Sequence, residues 1–251
     1  MLTLVTYNLY KGGAPNYSAF GRALTELSPD ILLLQEVSKP ELYVEHAPEE
    51  LRERIASARW GSAGTNYWGS AIYVRQGILS ELPIPDVLQG WVTTAEVDGL
   101  AWRPGEKPLR IFCVHTPTRE SRDYIAEVHR IIDAIKERAE GYDVVIGGDF
   151  NMTVGVRHEA ETRQNTLQEL AIHRRLRREL GLINSWQVLH PNQVLPQTYQ
   201  HQFQADSALH HLDGLFVPAT WYQHLESCDV LNGAPWVGRS DHFPLIASFA
   251  L

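Results

Sequence analysis

Residues 144–151 read VVIGGDFN, and this stretch indicates an α/β fold that carries chemistry at the end of a strand. Its apolar part, residues 144–146, is typical of a strand that is covered on both faces. Two polar side chains follow, Asp149 and Asn151, and loops beyond the carboxyl ends of strands are where α/β folds carry function. If the chain stays extended there, both side chains point to the same side.

The same pattern, an apolar run followed by a polar residue, recurs along the chain. The runs and the residues after them are 2–7 with Asn8, 31–34 with Gln35 and Glu36, and 109–114 with His115. Apolar residues at helical spacing lie between and after these runs and predict helices over 20–27, 48–58, 119–139 and 167–180. Alternating strands and helices predict the α/β class.

The middle and the tail of the chain are rich in predicted strands. These cover residues 70–74, 78–82, 91–97, 212–217 and 245–249. Their number makes two packed sheets a better interpretation than one doubly wound sheet. The sequence has no Ser/Gly-rich linker and no break in composition, so we expect residues 1–251 to form a single domain.

The composition is that of an ordinary globular protein, with 251 residues, a formal net charge of −8, 44% hydrophobic and 21% charged residues. Cys113 and Cys228 are too few for a disulfide framework, which favours a reducing compartment. No apolar run approaches about 18 residues and no signal peptide is visible, so we expect a cytoplasmic protein without stable membrane insertion. We also expect a monomer. The acidic balance argues against holding nucleic acid by bulk charge, although a bound divalent cation would reverse the local field.

Eight polar residues at the predicted strand ends and near the carboxyl terminus are candidate site residues. They are Asn8, Glu36, His115, Asp149, Asn151, Asp213, Asp241 and His242. Carboxylates and amides without a thiolate cluster favour a hard cation, Mg²⁺ or Mn²⁺, over zinc. Asp213 lies inside an apolar segment, so its charge needs a cationic or hydrogen-bonding partner.

These groups are the parts needed for in-line attack of water on a phosphoester. An ionised aspartate can orient and deprotonate a water, and an asparagine amide can donate to a phosphoryl oxygen. A histidine paired with an aspartate has a raised pKa and can carry positive charge toward a phosphate. The sequence contains no P-loop, HExxH or GxSxG pattern, which excludes the usual NTPase, zinc protease and serine hydrolase interpretations.

The sequence resembles the endonuclease/exonuclease/phosphatase (deoxyribonuclease I-like) superfamily. The motifs that carry the resemblance stand in that family's order: Thr6-Tyr7-Asn8, Leu34-Gln35-Glu36-Val37, Val114-His115-Thr116-Pro117, Gly147-Gly148-Asp149-Phe150-Asn151, Leu212-Asp213-Gly214 and Ser240-Asp241-His242. One tripeptide alone is a weak signal, but six in order are specific. The resemblance implies a four-layered α/β sandwich of two mixed β-sheets flanked by helices, with the site at one sheet edge.

The resemblance also implies roles for the candidate residues. Glu36 is implied as the principal metal ligand, with Asn8 and Asp241 beside the ion. Asp149 resembles the residue that orients or deprotonates the attacking water. Asn151 resembles a phosphate-binding amide.

Asp213 and His242 resemble the Asp–His pair of the family, which would supply the partner that the buried Asp213 needs. His115 matches a position that deoxyribonuclease I-like, sphingomyelinase-like and tyrosyl-DNA phosphodiesterase-like members fill with histidine. AP endonucleases carry a tyrosine there, and an aspartate where this chain has Tyr10. Both departures argue against an enzyme for abasic sites.

The sequence therefore predicts a Mg²⁺- or Mn²⁺-dependent phosphodiester hydrolase that acts on nucleic acid, with DNA the first choice. Asn8, Asn151 and His115 are expected to contact the substrate. A phosphohydrolase of a lipid head group, an inositol phosphate or another small phosphoester is the alternative within the enzyme class. A binding module that keeps the fold without turnover is a further alternative, although no motif residue is missing.

Four other features remain open at this stage. The arginines within residues 174–178 are interpreted as a solvated helix face, with contact to a phosphate backbone as the alternative. Lys11 could reach a phosphate. Trp236 could stack on a base or pack in the core, and Trp68 could lie near the site or pack.

Overall fold

The computed structural model describes residues 1–12, 19–100, 103–117, 123–204 and 209–250, and the elements named here lie in these ranges. The strands are β1 (Leu2–Gly12), β2 (Ile31–Ser38), β3 (Arg59–Ser62), β4 (Trp68–Val74), β5 (Ile78–Glu81), β6 (Val92–Asp98), β7 (Leu109–His115), β8 (Asp143–Asp149), β9 (Leu182–Asn184), β10 (Asp213–Pro218), β11 (Leu225–Val230) and β12 (Leu245–Phe249). The helices are α1 (Ala19–Glu26), α2 (Pro40–Val44), α3 (Glu49–Ala56), α4 (Tyr124–Lys136), α5 (Leu167–Glu179) and α6 (Ser185–Leu189). Short 3-10 turns cover Asp86–Leu88, His201–Phe203 and Ala219–His224.

The strands form two six-stranded sheets. The order is β11-β12-β1-β2-β4-β3 in the first sheet and β5-β6-β7-β8-β10-β9 in the second. Each sheet places a parallel pair, β1 with β2 and β7 with β8, among antiparallel neighbours. The two mixed sheets expected from the sequence are confirmed.

Three apolar clusters hold four layers together. The largest lies between the two sheets and includes Leu4, Leu33, Ile111, Val145 and Leu215. A second cluster packs the outer face of the first sheet against α1, α2 and α3, and a third packs the outer face of the second sheet against α4 and α5. Burial of these side chains stabilises the layered arrangement by roughly 1.5–3 kcal/mol for each large aliphatic residue.

The alternation of side chains along the strands explains where the polar candidates lie. In β1, Leu2 and Leu4 face the other sheet while Val5 and Tyr7 face the helices. Because successive side chains point to opposite faces, Asn8 continues the inward-facing series. The same parity places His115, Asp149 and Asp213 between the sheets, beyond the apolar layer.

A polar layer separates this apolar layer from the candidate residues. The Gln35 amide nitrogen lies 3.1 Å from Thr6 Oγ1 and 3.1 Å from Cys113 Sγ, and all three side chains are buried. The inter-sheet space thus changes from apolar, through uncharged polar, to charged along the strand direction. The sequence predicts that several strands end at their first polar residue. They continue through it because the space between the sheets accepts polar side chains there.

The helices α1, α3, α4 and α5 differ from the sequence predictions mainly at their ends, whereas α2 and α6 are not predicted. The helix predicted over 119–139 covers Tyr124–Lys136 in the structure, and residues 119–122 of the prediction lie outside the described residues. Helix α5 begins with a capping box in which Thr166 accepts from the Glu169 backbone and the Glu169 carboxylate accepts from the Thr166 backbone. Among the described residues, no helix combines the length and the apolar character that crossing a bilayer requires.

Candidate active site

Strand register brings three candidate side chains into one row across the second sheet. Asp149 at the end of β8 pairs with His115 on the parallel strand β7 and with Asp213 on the antiparallel strand β10. All three side chains are buried, and Asp213 has no exposed surface at all. The sheet itself therefore assembles three of the eight candidate residues.

The first sheet contributes Asn8, which links the two sheets. Its amide nitrogen donates to Asp149 Oδ2 at 3.1 Å and lies 3.4 Å from Glu36 Oε1. Its amide oxygen accepts from the Tyr10 backbone at 2.9 Å. Asn8 is completely buried, so these contacts fix its orientation.

Glu36 reaches the site because of an irregularity in β2. The pairing of β2 with β4 skips this residue between Gln35 and Val37, and its φ is +48°. Strict alternation would turn the Glu36 side chain to the helix-facing side of the sheet, whereas a bulge redirects it. The Lys11 backbone N–H then donates to Glu36 Oε2 at 2.6 Å.

The loop before β12 supplies Asp241 and His242. Ser240 Oγ donates to the Asn8 carbonyl at 2.7 Å and accepts from the His242 backbone at 3.1 Å, which ties this loop to β1. His242 Nδ1 lies 2.8 Å from Asp213 Oδ2, and the opposite ring nitrogen lies 3.6 Å from Asp149 Oδ2. The imidazole therefore bridges two buried carboxylates.

Asn151 lies next to Asp149, but not in the extended chain that we considered. Its φ is +51°, and its backbone N–H donates to Asp149 Oδ1 at 2.8 Å, so the chain turns sharply after β8. The side-chain amide donates one hydrogen to the Thr116 carbonyl at 3.0 Å. Its second amide hydrogen remains available for a ligand.

His115 is held by aromatic rings. Its Nε2 lies 3.8 Å from Glu36 Oε1 and 3.8 Å from Asp149 Oδ2. The rings of Trp68 and Trp91 are centred 5.4 Å and 5.3 Å from the imidazole. Nδ1 is buried and has no hydrogen-bond partner among the described residues. Trp68 thus lies beside the site, which is one of the two interpretations given for it in the sequence analysis.

The electrostatics of the site reflect buried carboxylates that surround histidines. Burial raises the pKa of Asp149, and Asp213 acts in the same direction, while His242 and His115 oppose the shift. Burial, together with the charge of Glu36, raises the pKa of Asp241 to about 6 against the opposing effect of His242.

Burial alone would lower the pKa of His242, but the charges of Asp213 and Asp149 outweigh it and raise that pKa to about 10. His242 is therefore an imidazolium at neutral pH.

Two groups of residues that share no member could hold a divalent cation. Asp149, Asp213 and His242 each present one ligand atom, and these atoms lie within 4.8 Å of one another. Since His242 is already bonded to Asp213, metal binding there would have to displace that contact. Glu36 and Asp241, with the Asn8 oxygen, offer the hard ligands that Mg²⁺ and Mn²⁺ prefer. The mutual repulsion of Glu36 and Asp241 fits a cation between them.

Sequence reasoning missed two residues that shape the site. Thr198 Oγ1 accepts from the backbone of Leu212 at 2.8 Å and of Asp213 at 3.1 Å, which fixes the start of β10. The Tyr199 ring is centred 4.8 Å from that of His242. Both lie in an irregular segment that no apolar periodicity marks, so the sequence carried no local signal for them.

The structure also gives the positions of three other features considered from the sequence, which are Trp236, the arginines within 174–178 and Lys11. Trp236 is buried, packs edge-on against Tyr7 at 5.7 Å and carries Arg239 over its ring, so it belongs to the core. Of the arginines within 174–178, Arg175 pairs with Glu179 at 2.8 Å and with Asp133 on α4. Lys11 extends its ammonium over the Tyr10 ring, 4.7 Å from the centroid.

Comparison with known proteins places this geometry in context. A model of the Endonuclease/Exonuclease/phosphatase family matches residues 5–155, which contain Asn8, Glu36, His115, Asp149 and Asn151. No curated protein matches the sequence significantly.

Solved structures with the same architecture span the whole chain. An AP endonuclease from Archaeoglobus fulgidus has a TM-score of 0.73 at 16% identity, with 100% of both chains covered. A 3′ phosphatase, NExo, from Neisseria, bound to a product DNA hairpin, has a TM-score of 0.70 at 19% identity, again with 100% of both chains covered. A humanized D. rerio TDP2 has a TM-score of 0.66 at 18% identity, covering 100% of this chain and 99% of the other. At these identities the similarity shows a shared fold.

Proposed function

Because the chain belongs to the endonuclease/exonuclease/phosphatase family, we propose that it is a divalent-metal-dependent phosphodiester hydrolase acting on nucleic acid. One observation carries this proposal. The buried carboxylate of Asp149 is contacted at once by the Asn8 amide at 3.1 Å and the Asn151 backbone at 2.8 Å, with the His242 ring nitrogen at 3.6 Å. A carboxylate held this way has a fixed direction and an environment suited to proton transfer.

Asp149 is assigned the role of orienting a water and accepting its proton. The water oxygen forms a bond to phosphorus as the bond from phosphorus to the leaving oxygen breaks, and the proton moves to the carboxylate. The raised pKa of Asp149 makes its ionised form a stronger base than an exposed aspartate. Burial keeps bulk water from competing for that position.

His242 and the amides stabilise the charge that develops on the phosphoryl group. His242 donates through Nδ1 to Asp213, so its charged ring keeps Nε2–H on the side of Asp149. Asn151 supplies its second amide hydrogen, and His115 offers Nε2, which lies 3.8 Å from Asp149 Oδ2. Fixed donors of this kind lower the barrier without reorganisation during the reaction.

Glu36, Asn8 and Asp241 are proposed to hold Mg²⁺ or Mn²⁺. When bound, such an ion neutralises negative charge on the phosphoryl and leaving oxygens. These side chains fit a hard cation because they offer oxygen ligands close to each other at the sheet edge. We further propose that residues 1–251 act as a single domain and as a monomer.

The choice of nucleic acid, with DNA first, draws on structures of the same fold. They include an AP endonuclease and a 3′ phosphatase bound to a product DNA hairpin. A second candidate is hydrolysis of a small phosphoester, such as a lipid head group or an inositol phosphate. It is favoured by the net charge of −8, which weakens binding to a long polyanion.

The proposal is tested with purified protein and bis(p-nitrophenyl) phosphate, with and without EDTA. We expect hydrolysis that EDTA abolishes and that Mg²⁺ or Mn²⁺ restores. Asp149→Asn should remove most of the activity while the circular dichroism spectrum is unchanged. Asp229→Asn, at an exposed carboxylate on β11, is the matched control and should keep full activity. Folded protein that is silent with every divalent metal would support the binding module instead.

A substrate panel then separates the two candidates. Single- and double-stranded DNA, RNA, sphingomyelin and inositol phosphates are offered at equal phosphate concentration. Faster turnover of a nucleic acid supports the first candidate. Faster turnover of a lipid or inositol phosphate supports the second.

A further inference from the structure

Two aromatic side chains meet at right angles beside the site, and we call Tyr10 and Phe203 the aromatic corner. Their ring centroids are 5.2 Å apart and their planes are 88° apart. Phe203 is 41% exposed, although it is a large apolar residue, and Tyr10 is partly exposed. Neither the proposed hydrolytic step nor the core requires these two rings.

Backbone hydrogen bonds fix the corner to the catalytic groups. The Tyr10 N–H donates to the Asn8 amide oxygen at 2.9 Å. The Gln200 N–H donates to the Asp241 carbonyl at 2.6 Å, and the Phe203 N–H donates to the Gln200 carbonyl at 3.1 Å. The Tyr10 backbone is therefore bonded directly to Asn8, and the Phe203 backbone is connected to Asp241 through Gln200. We assign both Asn8 and Asp241 to metal binding.

Both residues of the corner adopt backbone conformations that bulky side chains rarely use. The φ angle is +60° for Tyr10 and +60° for Phe203, and that of Lys11 is +45°. The left-handed region costs roughly 1–2 kcal/mol for a residue with a Cβ atom. Strain of this kind concentrates at functional sites, and here it falls on two residues that hydrogen bonds connect to Asn8 and Asp241.

The charges around the corner suit a stacking ligand better than a duplex. The strongest charge effects on the Asp149 and Asp241 pKa values come from other carboxylates and from histidines. Lys11 supplies an exposed cation beside the corner. A duplex is held mainly by many phosphate contacts, whereas an unpaired base can stack on an aromatic ring.

We propose that the aromatic corner binds an unpaired base next to the scissile phosphate, so that the substrate class is single-stranded or unpaired nucleic acid. Two perpendicular rings can contact the face and the edge of one planar base together. Lys11 contacts the neighbouring phosphate. This inference rests on the proposed hydrolase function and adds the form of nucleic acid that the site accepts.

The test measures binding by fluorescence anisotropy in EDTA, so that no hydrolysis is required. The probes are a labelled oligothymidylate and a labelled oligomer of abasic tetrahydrofuran residues of the same length, which carry equal charge. We expect the protein to bind the oligothymidylate at least about fivefold more tightly, as one stacked base provides. Phe203→Ala and Tyr10→Ala should each bring the ratio of the two dissociation constants close to one.

Matched variants separate stacking from a general loss of structure. Phe203→Tyr keeps an aromatic face and should keep the preference for bases. Tyr222→Ala removes a 54% exposed aromatic residue that lies beyond the opposite end of β10, and it should also keep the preference. Lys11→Gln should weaken binding of both oligomers equally, since both carry the same phosphates.

Failure of this inference is distinct from failure of the proposed function. Equal binding of the two oligomers by the unmodified protein overturns the aromatic corner as a base site, whatever the hydrolysis assay shows. A preference for bases that survives in Phe203→Ala and in Tyr10→Ala overturns it as well. Tighter binding of a blunt duplex than of the oligothymidylate would contradict the proposed substrate class.

Discussion

His242 Nδ1 lies 2.8 Å from Asp213 Oδ2 in a part of the structure where Asp213 has no solvent exposure. Asp213 therefore fixes the orientation of the imidazole and, together with Asp149, raises the pKa of His242. The sequence placed a carboxylate inside an apolar strand, and this contact supplies the partner that such a charge needs.

Asp213→Asn should lower kcat by about 100- to 10,000-fold, because a neutral amide neither balances the imidazolium charge nor fixes which ring nitrogen carries the proton. The substitution conserves volume but removes one partner of a buried ion pair, so the thermal midpoint should also fall, and the rate is measured at a temperature where the variant is still folded. Steady-state kinetics on bis(p-nitrophenyl) phosphate, together with a thermal melt, check both expectations. A variant with unaltered kcat would show that this pair is structural.

Glu36→Gln should weaken Mn²⁺ binding at least about tenfold, since even residues around a metal's direct ligands change affinity by that factor. Isothermal titration calorimetry on the folded variant measures the affinity directly. Glu226→Gln, at an exposed position on β11, is the control and should bind Mn²⁺ normally.

The same titration on Asp213→Asn distinguishes the two candidate metal groups. If the ion lies among Asp149, Asp213 and His242, this variant loses affinity and Glu36→Gln does not. That outcome would overturn the assignment of Glu36 as principal ligand.

Strand periodicity accounts for the positions of four of the eight candidate residues. Asn8, His115, Asp149 and Asp213 follow apolar residues of the same parity, so one rule places them all between the sheets. Two parallel pairs, β1 with β2 and β7 with β8, and their antiparallel partners then make these strands neighbours. This part of the site is a direct consequence of the apolar pattern.

Other parts could not be predicted from periodicity. Glu36 stands at a position that alternation assigns to the helix-facing side, and only a bulge at φ +48° brings it inward. Thr198 and Tyr199 are held by bonds to loops distant in sequence, which no local pattern encodes. The sequence pattern likewise predicts neither the strands β3, β9 and β11 nor the helices α2 and α6, because a few residues give too little periodicity to recognise.

Trp68 and Trp91 are expected to keep His115 in a productive orientation. The buried Nδ1 of His115 has no partner among the described residues, unlike that of His242, so packing against the flanking indole rings restricts the imidazole. Trp68→Leu and Trp91→Leu should each lower kcat about tenfold while the KM changes less, since a mobile imidazole is misplaced in the transition state.

Conservative variants make this expectation specific. Trp68→Phe retains an aromatic face against His115 and should recover most of the rate. The ¹⁵N NMR signals of the His115 ring should broaden or move in Trp68→Leu and remain close to the original positions in Trp68→Phe. Unchanged kinetics in both leucine variants would assign the two tryptophans to packing alone.

Gly148→Ala should destabilise the fold by about 3 kcal/mol or more. The φ of Gly148 is +150°, and an added Cβ would lie 1.8 Å from the Val114 carbonyl oxygen of the neighbouring strand. Urea unfolding measures the effect.

Gly181→Ala separates conformational strain from collision, because Gly181 has a φ of +68° with nothing within 4 Å of the added Cβ. It should cost only about 1 kcal/mol, and equal losses at both positions would contradict the proposed collision.

The contribution of His211 to stability should be lost as the pH drops below about 6.5. Burial lowers the pKa of His211 from 6.5 to about 4 in the folded protein, so the unfolded chain binds the extra proton between these values. At pH 5 this linkage removes about 2 kcal/mol of the free energy of unfolding relative to pH 7.5.

Urea unfolding at both pH values, on the protein and on His211→Gln, isolates this residue from the carboxylates. The variant is less stable at pH 7.5 because glutamine fills the buried site less well, but its loss between pH 7.5 and pH 5 should be smaller by about 2 kcal/mol. An identical loss in both proteins would mean that His211 is not buried in its neutral form.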